Sequence, residues 1–575
     1  MKITVADALL RHLQAEGVEY IFGVPGLSLV PFFAAMNRNP EVKPILTKHE
    51  EGAAFMADGY ARVKGTIGAC FATSGPGTTN LMTGVAGAYM DNVPIMALTG
   101  QVETSVYGKG AIQDSSKEGI DSVKMFESIT RHSSMLISRQ KALEDIREAL
   151  RKALSGRRGP VHLSLPKDIQ AAEVEFPSVS PSAYRFGQEY FDRRLVIEAA
   201  EALGKAERPV ILVGSGAVES AACGDIRELA ELMSIPVATT PRSKGAFPED
   251  HPLALGVLGL FGSPLADRYL RAKEVDVLLV IGASMNQVTT LSWDPSLAPS
   301  KCLIHVNIDP AEIGKNYRAD IALVGDARTV VNEIYFRVLK HVATEEEKWN
   351  GRRAAVAVAK AETRMCSEPE KMASEAVPLK PQRLMRELQE TMPPDAILFC
   401  DVGNALGWST HFLRFTRPDS FVVPWGLLAM GYGVSAAIGG KLAAPGRPVL
   451  ALVGDGCFTM NGTEVATAVN YGVPVVWIVL NKGKLGLVHD IQRFALGDHN
   501  VATRFQRVNC AMVAKGLGAE GFRIERPGEL HDLLPRAIAM AKPVVIDCVI
   551  DPEEVPPLAP FLEGTKSYMK TLEMA

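Results

Sequence analysis

No apolar stretch in this sequence approaches the roughly 18 residues of a bilayer span, so a membrane-embedded protein is not expected. The eight cysteines are scattered and form no CxxC pair, which argues against a zinc ribbon or a disulfide framework. Charge of one sign is also lacking: 61 basic against 65 acidic residues leave a formal net charge of −4. Such a balance gives no electrostatic footprint for nucleic acid or an anionic membrane. The first residues, MKITVADALLRHLQAEG, read as an amphipathic helix. They lack the apolar core and cleavage site of a secretion signal, and a cytoplasmic location is expected. What is present is ordinary globular composition, 47% hydrophobic and 22% charged, over 575 residues. At about 150 residues per domain, that length predicts three or four domains.

Helical and short apolar strand patterns alternate along the chain, which predicts parallel sheets covered by helices on both faces. In the first part, strands are expected at Tyr20 to Val24, Ile45 to Thr47, Gly68 to Thr73 and Ile95 to Thr99. Between them a helix rich in small residues, Gly52 to Arg62, suggests close packing on another helix. A Pro- and Ser-containing stretch, Phe176 to Ser182, reads as a linker. The next part begins with a helix from Leu195 to Leu203, followed by strands at Pro209 to Val213, Val237 to Thr240, Val277 to Ile281 and Leu303 to Ile308. Gly214 and Gly216 after the first of these, with Asp309 after the last, suit a dinucleotide, although a lone GxG is a weak signal. Thr344 to Glu375 is charge-rich and reads as exposed helix plus linker. A third part starts near Lys380, and a proline-containing tail from Pro556 is placed so that it could close over a site.

The most informative stretch runs from Val449 to Val488. An apolar run, Val449 to Val453, is the pattern of a strand buried on both faces. Gly454-Asp455-Gly456 then breaks it and leaves one carboxylate at the strand's end. A helix from about Asn461 to Tyr471 leads to a second buried strand, Val473 to Leu480, ending in Asn481-Lys482-Gly483. Polar groups thus gather where parallel strands stop, the edge at which open sheets bind ligands. A carboxylate, an amide and loop carbonyls are hard oxygen ligands, suited to Mg²⁺ or Ca²⁺ holding a phosphate.

This stretch resembles the diphosphate-binding motif of thiamine-diphosphate (ThDP) enzymes, GDG followed by a spacer and NN. The resemblance extends over nearly the whole chain to the acetolactate synthase group. It implies three doubly wound α/β domains: a pyrimidine-binding domain at 1–177, a central dinucleotide-type domain at 190–343 and a diphosphate-binding domain at 378–555, with a tail at 556–575. By match, Glu50 in KHEEGAAFMADGYAR is the catalytic glutamate that exchanges a proton with the cofactor's aminopyrimidine. In the family it comes from the partner subunit, which implies at least a homodimer, with a homotetramer expected. Gln113 matches a residue facing the thiazolium, and Lys167 also fits the group's pattern. Cofactor contacts are implied for Pro25, Gly26, Ser28, Gly75, Asn80, Gly403, Asn404, Gly454, Gly456, Lys482 and Leu485. Met430 matches the bulky residue beneath the cofactor, and the Leu428 carbonyl an acceptor for its amino group. The implied metal ligands are Asp455, Asn481 and the Gly483 carbonyl.

Three departures accompany the resemblance. Leu27 stands where simple decarboxylases carry an aspartate, so no proton donor is offered there and carboligation is favoured over aldehyde release. Gly282 to Val288 lacks two arginines that acetolactate synthases use for FAD and for the second substrate's carboxylate. FAD, an ADP- or CoA-type ligand, or none remain open for the central domain. Lys482, 27 residues after Asp455, occupies the position of the second Asn, a metal ligand. Its ammonium replaces the cation and pairs with Asp455, or Asn481 takes over as ligand with Lys482 turned outward, or the site is weak. The implied function is decarboxylation of a small-molecule 2-oxo acid with carboligation. The alternatives are an FAD-linked oxidase, a CoA-ester lyase, or a non-catalytic protein of the same fold.

Overall fold

The computed structural model describes residues 1–177, 180–185, 187, 190–342, 346–497 and 499–558. Within them the chain builds three six-stranded sheets, and every strand pairing inside each sheet is parallel. The runs Gly68–Ala72, Val277–Ile281 and Val475–Asn481 are buried along their whole length. Strands covered on both faces read as continuous apolar runs, and that is why they were visible in the sequence.

In the first sheet the order is Lys43–Leu46, Tyr20–Val24, Gly68–Ala72, Ile95–Gln101, Val161–Pro166 and His132–Met135. The third sheet repeats that order: Phe421–Val422, Ile397–Cys400, Val449–Gly454, Val475–Asn481, Val544–Val549 and Glu520–Ile524. In both, the order reverses between the first and third strands in sequence, which opens a crevice at their carboxyl ends. Pro25-Gly26 and Ser74-Gly75 lie at that edge in the first sheet, and Asp401 to Gly403 and Asp455-Gly456 in the third. The middle sheet runs third, second, first, fourth, fifth, sixth, the order of dinucleotide-binding folds. Its switch point lies between Pro209–Val213 and Val277–Ile281.

The first and third sheets are joined by two helices, Glu50–Lys64 and Tyr432–Ala443, which meet backbone to backbone. A Cβ on Gly59 would strike the Ala436 carbonyl, and one on Gly439 the Met56 carbonyl. Small residues are needed there because nothing larger lets the axes approach. At the edge of the contact the Tyr432 hydroxyl donates to Asp58 at 2.6 Å, and Arg62 bridges Asp58 and Asp91 at 2.6 and 2.7 Å.

Two sequence expectations change. The helix after Gly454 begins at Asp455, not near Asn461, and runs as Asp455–Asn461, a 3-10 turn Gly462–Glu464 and Val465–Tyr471. Gly454 is extended and caps a helix whose first residue is an acid, which suits the positive end of the dipole. The charge-rich stretch is not a free linker. Its helix Glu346–Glu362 buries Trp349 and Val356 on the central domain, and the Arg352 guanidinium donates to the Met233 carbonyl at 2.8 Å. The expected closure by the tail falls mainly on residues 559–575, outside the described residues.

Candidate active site

Glu50 opens its helix with its side chain buried. Its Oε2 accepts from Asn80 Nδ2 at 3.0 Å. Gly77 lies beside it, where a Cβ would stand 3.1 Å from Glu50 Oε1, so glycine leaves room around the carboxylate. The start of this helix is fixed from the other end of the chain. Glu464 accepts the Lys48 and His49 N–H groups at 3.0 and 2.9 Å, and burial raises its pKa. Sequence reading missed Glu464, since no local pattern ties it to a residue more than 400 positions away.

The other residues singled out in this domain gather on the same edge. Gly75, at φ +73, donates its N–H to Ser115 Oγ at 2.8 Å and lies against Gln113, itself exposed at φ +61. The Ser28 hydroxyl is not free for chemistry. It accepts the Ser74 N–H at 3.1 Å and pairs with the Thr73 hydroxyl, tying two loops together. Pro25 is exposed, Gly26 packs on Thr73, and Leu27 and Ile112 stand 83% and 89% exposed. Lys167 is not drawn in; its nearest charged partner is Glu103 at 3.7 Å.

A second group forms a cradle at the switch point of the third sheet. Helices Asn404–Phe412 and Gly486–Leu496 both start there without a side-chain cap, and uncapped helix N-termini present N–H groups and positive potential to an anion. Leu485 and Met430 close over Gly456, where an added Cβ would lie 2.7 Å from one and 3.2 Å from the other. Gly486 packs on Asn404 in the same way. Leu428, at φ +58, turns the chain ahead of Met430. Asp401 holds that segment in place by accepting the Gly431 and Gly433 N–H groups at 3.2 and 2.9 Å. Burial pushes the Asp401 carboxyl up to about 6. The sequence marked Asp401 only as part of a turn, and its bracing role depends on contacts about 30 residues on.

The expected metal ligands do not assemble. Asp455 Oδ2 already accepts the Lys482 and Gly483 N–H groups at 2.9 and 2.5 Å, and Oδ1 the Gly456 N–H at 3.0 Å. Asn481 is turned toward the neighbouring strand, its Nδ2 donating to Asp547 and to the Val508 carbonyl, both at 2.7 Å, while its Oδ1 is buried without a hydrogen-bond partner. The Gly483 carbonyl accepts the Phe505 N–H at 3.2 Å. Lys482 is neither paired with Asp455 nor turned outward. Its buried ammonium donates to Asp490 Oδ2 at 3.1 Å and to the Glu554 carbonyl at 3.0 Å. Burial pulls its pKa down, opposed by Asp490. A carboxylate carries about four lone-pair sites, so Asp455 keeps one, beside an ammonium that cannot ligate. A divalent ion with near-octahedral oxygen demands does not fit this donor set. No group of three or more His, Cys, Asp or Glu among the described residues offers another metal site.

A third feature is a cavity of 420 Å³ at the switch point of the middle sheet, lined by Gly216, Arg242, Ser284, Asp309 and Trp425 among others. Its volume is that of a small-molecule or nucleotide site. Gly214 and Gly216 serve close loop packing, their N–H groups donating to the Ile281 and Gly282 carbonyls at 2.8 and 3.0 Å. The Asp309 carboxylate is occupied by Arg157 at 2.9 Å, which also reaches Glu312. The segment Gly282 to Val288, where arginines are expected, lines this cavity without one, so cationic lining comes from Arg157, Arg158, Arg242 and Lys315.

Comparison with known proteins agrees with this layout. Residues 3–125 match the family model "Thiamine pyrophosphate enzyme, N-terminal TPP binding domain". Residues 196–334 match its central domain and 401–548 its C-terminal TPP binding domain. The chain is 38% identical over 567 residues to a probable acetolactate synthase large subunit of Methanocaldococcus jannaschii, covering 96% of this chain and 93% of that one. It is 35% identical over 565 residues to an acetolactate synthase of Mycobacterium bovis, covering 96% and 88%. To an acetolactate synthase of Arthrospira platensis it is 35% identical over 570 residues, covering 96% and 95%.

Proposed function

The chain belongs to the thiamine pyrophosphate enzymes, and from that premise we propose that it decarboxylates a 2-oxo acid and joins the remaining fragment to an acceptor. The observation that carries this reading is the pairing of two half-sites on two sheets of like order. One is a dry carboxylate held by Asn80, the other an anion cradle under Met430 and Leu485.

When bound, the cofactor supplies the electron sink that lets CO₂ leave a 2-oxo acid and a new carbon–carbon bond form. The rest falls to the protein. Glu50 holds and exchanges a proton at the pyrimidine ring, as a buried carboxylate with one fixed hydrogen bond can. Met430 would support the bound cofactor, the Leu428 carbonyl would accept its amino group, and the two helix N-termini would hold its diphosphate. Gln113 would lie on the thiazolium side of the bound cofactor. Leu27 brings no proton to the reacting carbon, which directs the fragment to a carbonyl acceptor in place of protonation.

Glu50 and the cradle of one site belong to different protomers in this reading, so a homodimer is the smallest active unit and a homotetramer is expected. The eight unpaired cysteines support a reducing, cytoplasmic setting. The central cavity is assigned to a nucleotide such as FAD, and absorbance of the purified protein at about 450 nm decides whether a flavin is present.

The test of the reaction is CO₂ release from a panel of 2-oxo acids by full-length protein with ThDP, with product analysis. A carbon–carbon condensation product is expected. Aldehyde as the sole product overturns carboligation, and no CO₂ from any 2-oxo acid overturns the catalytic reading.

A further inference from the structure

A diphosphate seated in this cradle needs a cationic partner, because an anion enclosed by cofactor and protein without one is strongly disfavoured. The groups present make a poor divalent site: Asp455 already accepts three N–H donors and keeps one lone-pair site, Asn481 is anchored through its Nδ2 on Asp547 and offers only its buried Oδ1, and the remaining ligand position is a lysine. The Lys482 side chain is only 4% exposed. Two of its three donors are used, on Asp490 and the Glu554 carbonyl, and the third has no protein partner among the described residues.

The ammonium is tied to the residues that form the cradle. Asp490 Oδ2 accepts from both Lys482 and Asn404, the latter at 2.7 Å, and Asn404 is the first residue of an uncapped helix. Gly486, first residue of the second uncapped helix, presses on both, its Cβ position lying 2.7 Å from Asn404 Nδ2 and 3.4 Å from Lys482 Cδ. Asp490 is itself in the Gly486–Leu496 helix, so the lysine is fixed by an element that also lines the anion site. A point charge on a flexible stem, carrying rotatable donors, is a common phosphate partner.

We propose that this chain holds the ThDP diphosphate without a divalent ion, the Lys482 ammonium taking the electrostatic place of the metal. The proposal rests on the ThDP reading above, and its failure is separable from the failure of that reading.

The experiment is ThDP titration of the full-length protein, followed by intrinsic tryptophan fluorescence and calorimetry, in excess EDTA and again in millimolar Mg²⁺. The dissociation constants are expected to agree within about threefold. Binding weakened more than about tenfold in EDTA and restored by Mg²⁺ overturns the proposal and leaves the ThDP reading intact. No binding in either condition overturns both. Lys482→Asn is expected to lose at least about tenfold of the metal-free affinity and to become Mg²⁺-dependent, whereas Lys482→Arg keeps metal-free binding. If folded Lys482→Asn binds ThDP in EDTA as wild type does, the lysine only braces Asp490 and the proposal fails. The wild-type comparison decides the matter even where a variant does not fold.

Discussion

Glu50 is buried, and Asn80 is its side-chain hydrogen-bond partner among the described residues. A group placed to exchange a proton inside a closed site contributes to turnover through its charge, and less to affinity. Glu50→Gln keeps the shape and the Asn80 contact while removing the exchangeable proton. CO₂ release is expected to fall by about 100-fold or more, with ThDP affinity changed by less than about threefold. Turnover within about tenfold of wild type would remove Glu50 from the proton path. Asp401 gives a second residue-level expectation, this time in stability. Burial lifts its folded pKa to about 6 from an ordinary 3.8, so between those values the folded state binds more protons than the unfolded one. Its contribution is therefore fully present below pH 3.8 and is lost as pH rises through 6. A shift of that size corresponds to about 3 kcal/mol. In cofactor-free protein, urea unfolding should show wild type losing stability relative to Asp401→Asn between these limits; parallel curves would show that Asp401 does not titrate this way.

The contact between helices Glu50–Lys64 and Tyr432–Ala443 ties the start of one helix, at Glu50, to the Met430 segment of another sheet. Gly439 has no space for a side chain, because the Met56 backbone occupies it. Gly439→Ala must push the helices apart or bend one of them, an overpacking expected to cost about 1–3 kcal/mol. A fall in thermal midpoint of several degrees with reduced turnover is expected; an unchanged midpoint would show that the helices have slack there. The small-residue pattern Gly52 to Arg62 announced this contact in the sequence, and the continuous apolar runs announced the strands. The Asp455 helix start was missed because Gly-Asp-Gly reads as a break, and glycine before an acid also serves as a helix cap. The Glu346–Glu362 helix was misplaced because three inward residues are hidden among many charges. The roles of Glu464, Asp401 and Asp490 were out of reach, since each depends on chain segments that only the fold brings together. The same limit applies to Lys482: the sequence identified a misfit at the metal position, and only side-chain direction resolved which way it turns.

At the scale of the molecule, one chain carries two half-sites, one on the first sheet and one on the third. Among the described residues no hydrogen bond or ion pair joins Glu50 or Gln113 to Asp455, Lys482 or Leu428. The apolar residues beside each half are left open to solvent, Leu27 and Ile112 on one and Leu428, 40% exposed, on the other. Apolar groups clustered around a polar site in this way call for a covering surface. A second copy related by a twofold axis would cover both halves at once and would bring Glu50 of one protomer to the cradle of the other. Subunit mixing tests this without a structure of the complex. Glu50→Gln and Asp455→Ala, each nearly inactive alone, are combined after reversible dissociation. In a mixed dimer one of the two sites receives both defects, and the other receives an intact Glu50 facing an intact cradle. Random reassortment makes half the dimers mixed, so activity should recover to about a quarter of wild type. If each site were built from a single chain, every site would keep one defect and mixing would restore nothing. Recovery that depends on time and protein concentration therefore assigns the glutamate to the partner protomer, and its absence assigns both halves to one chain.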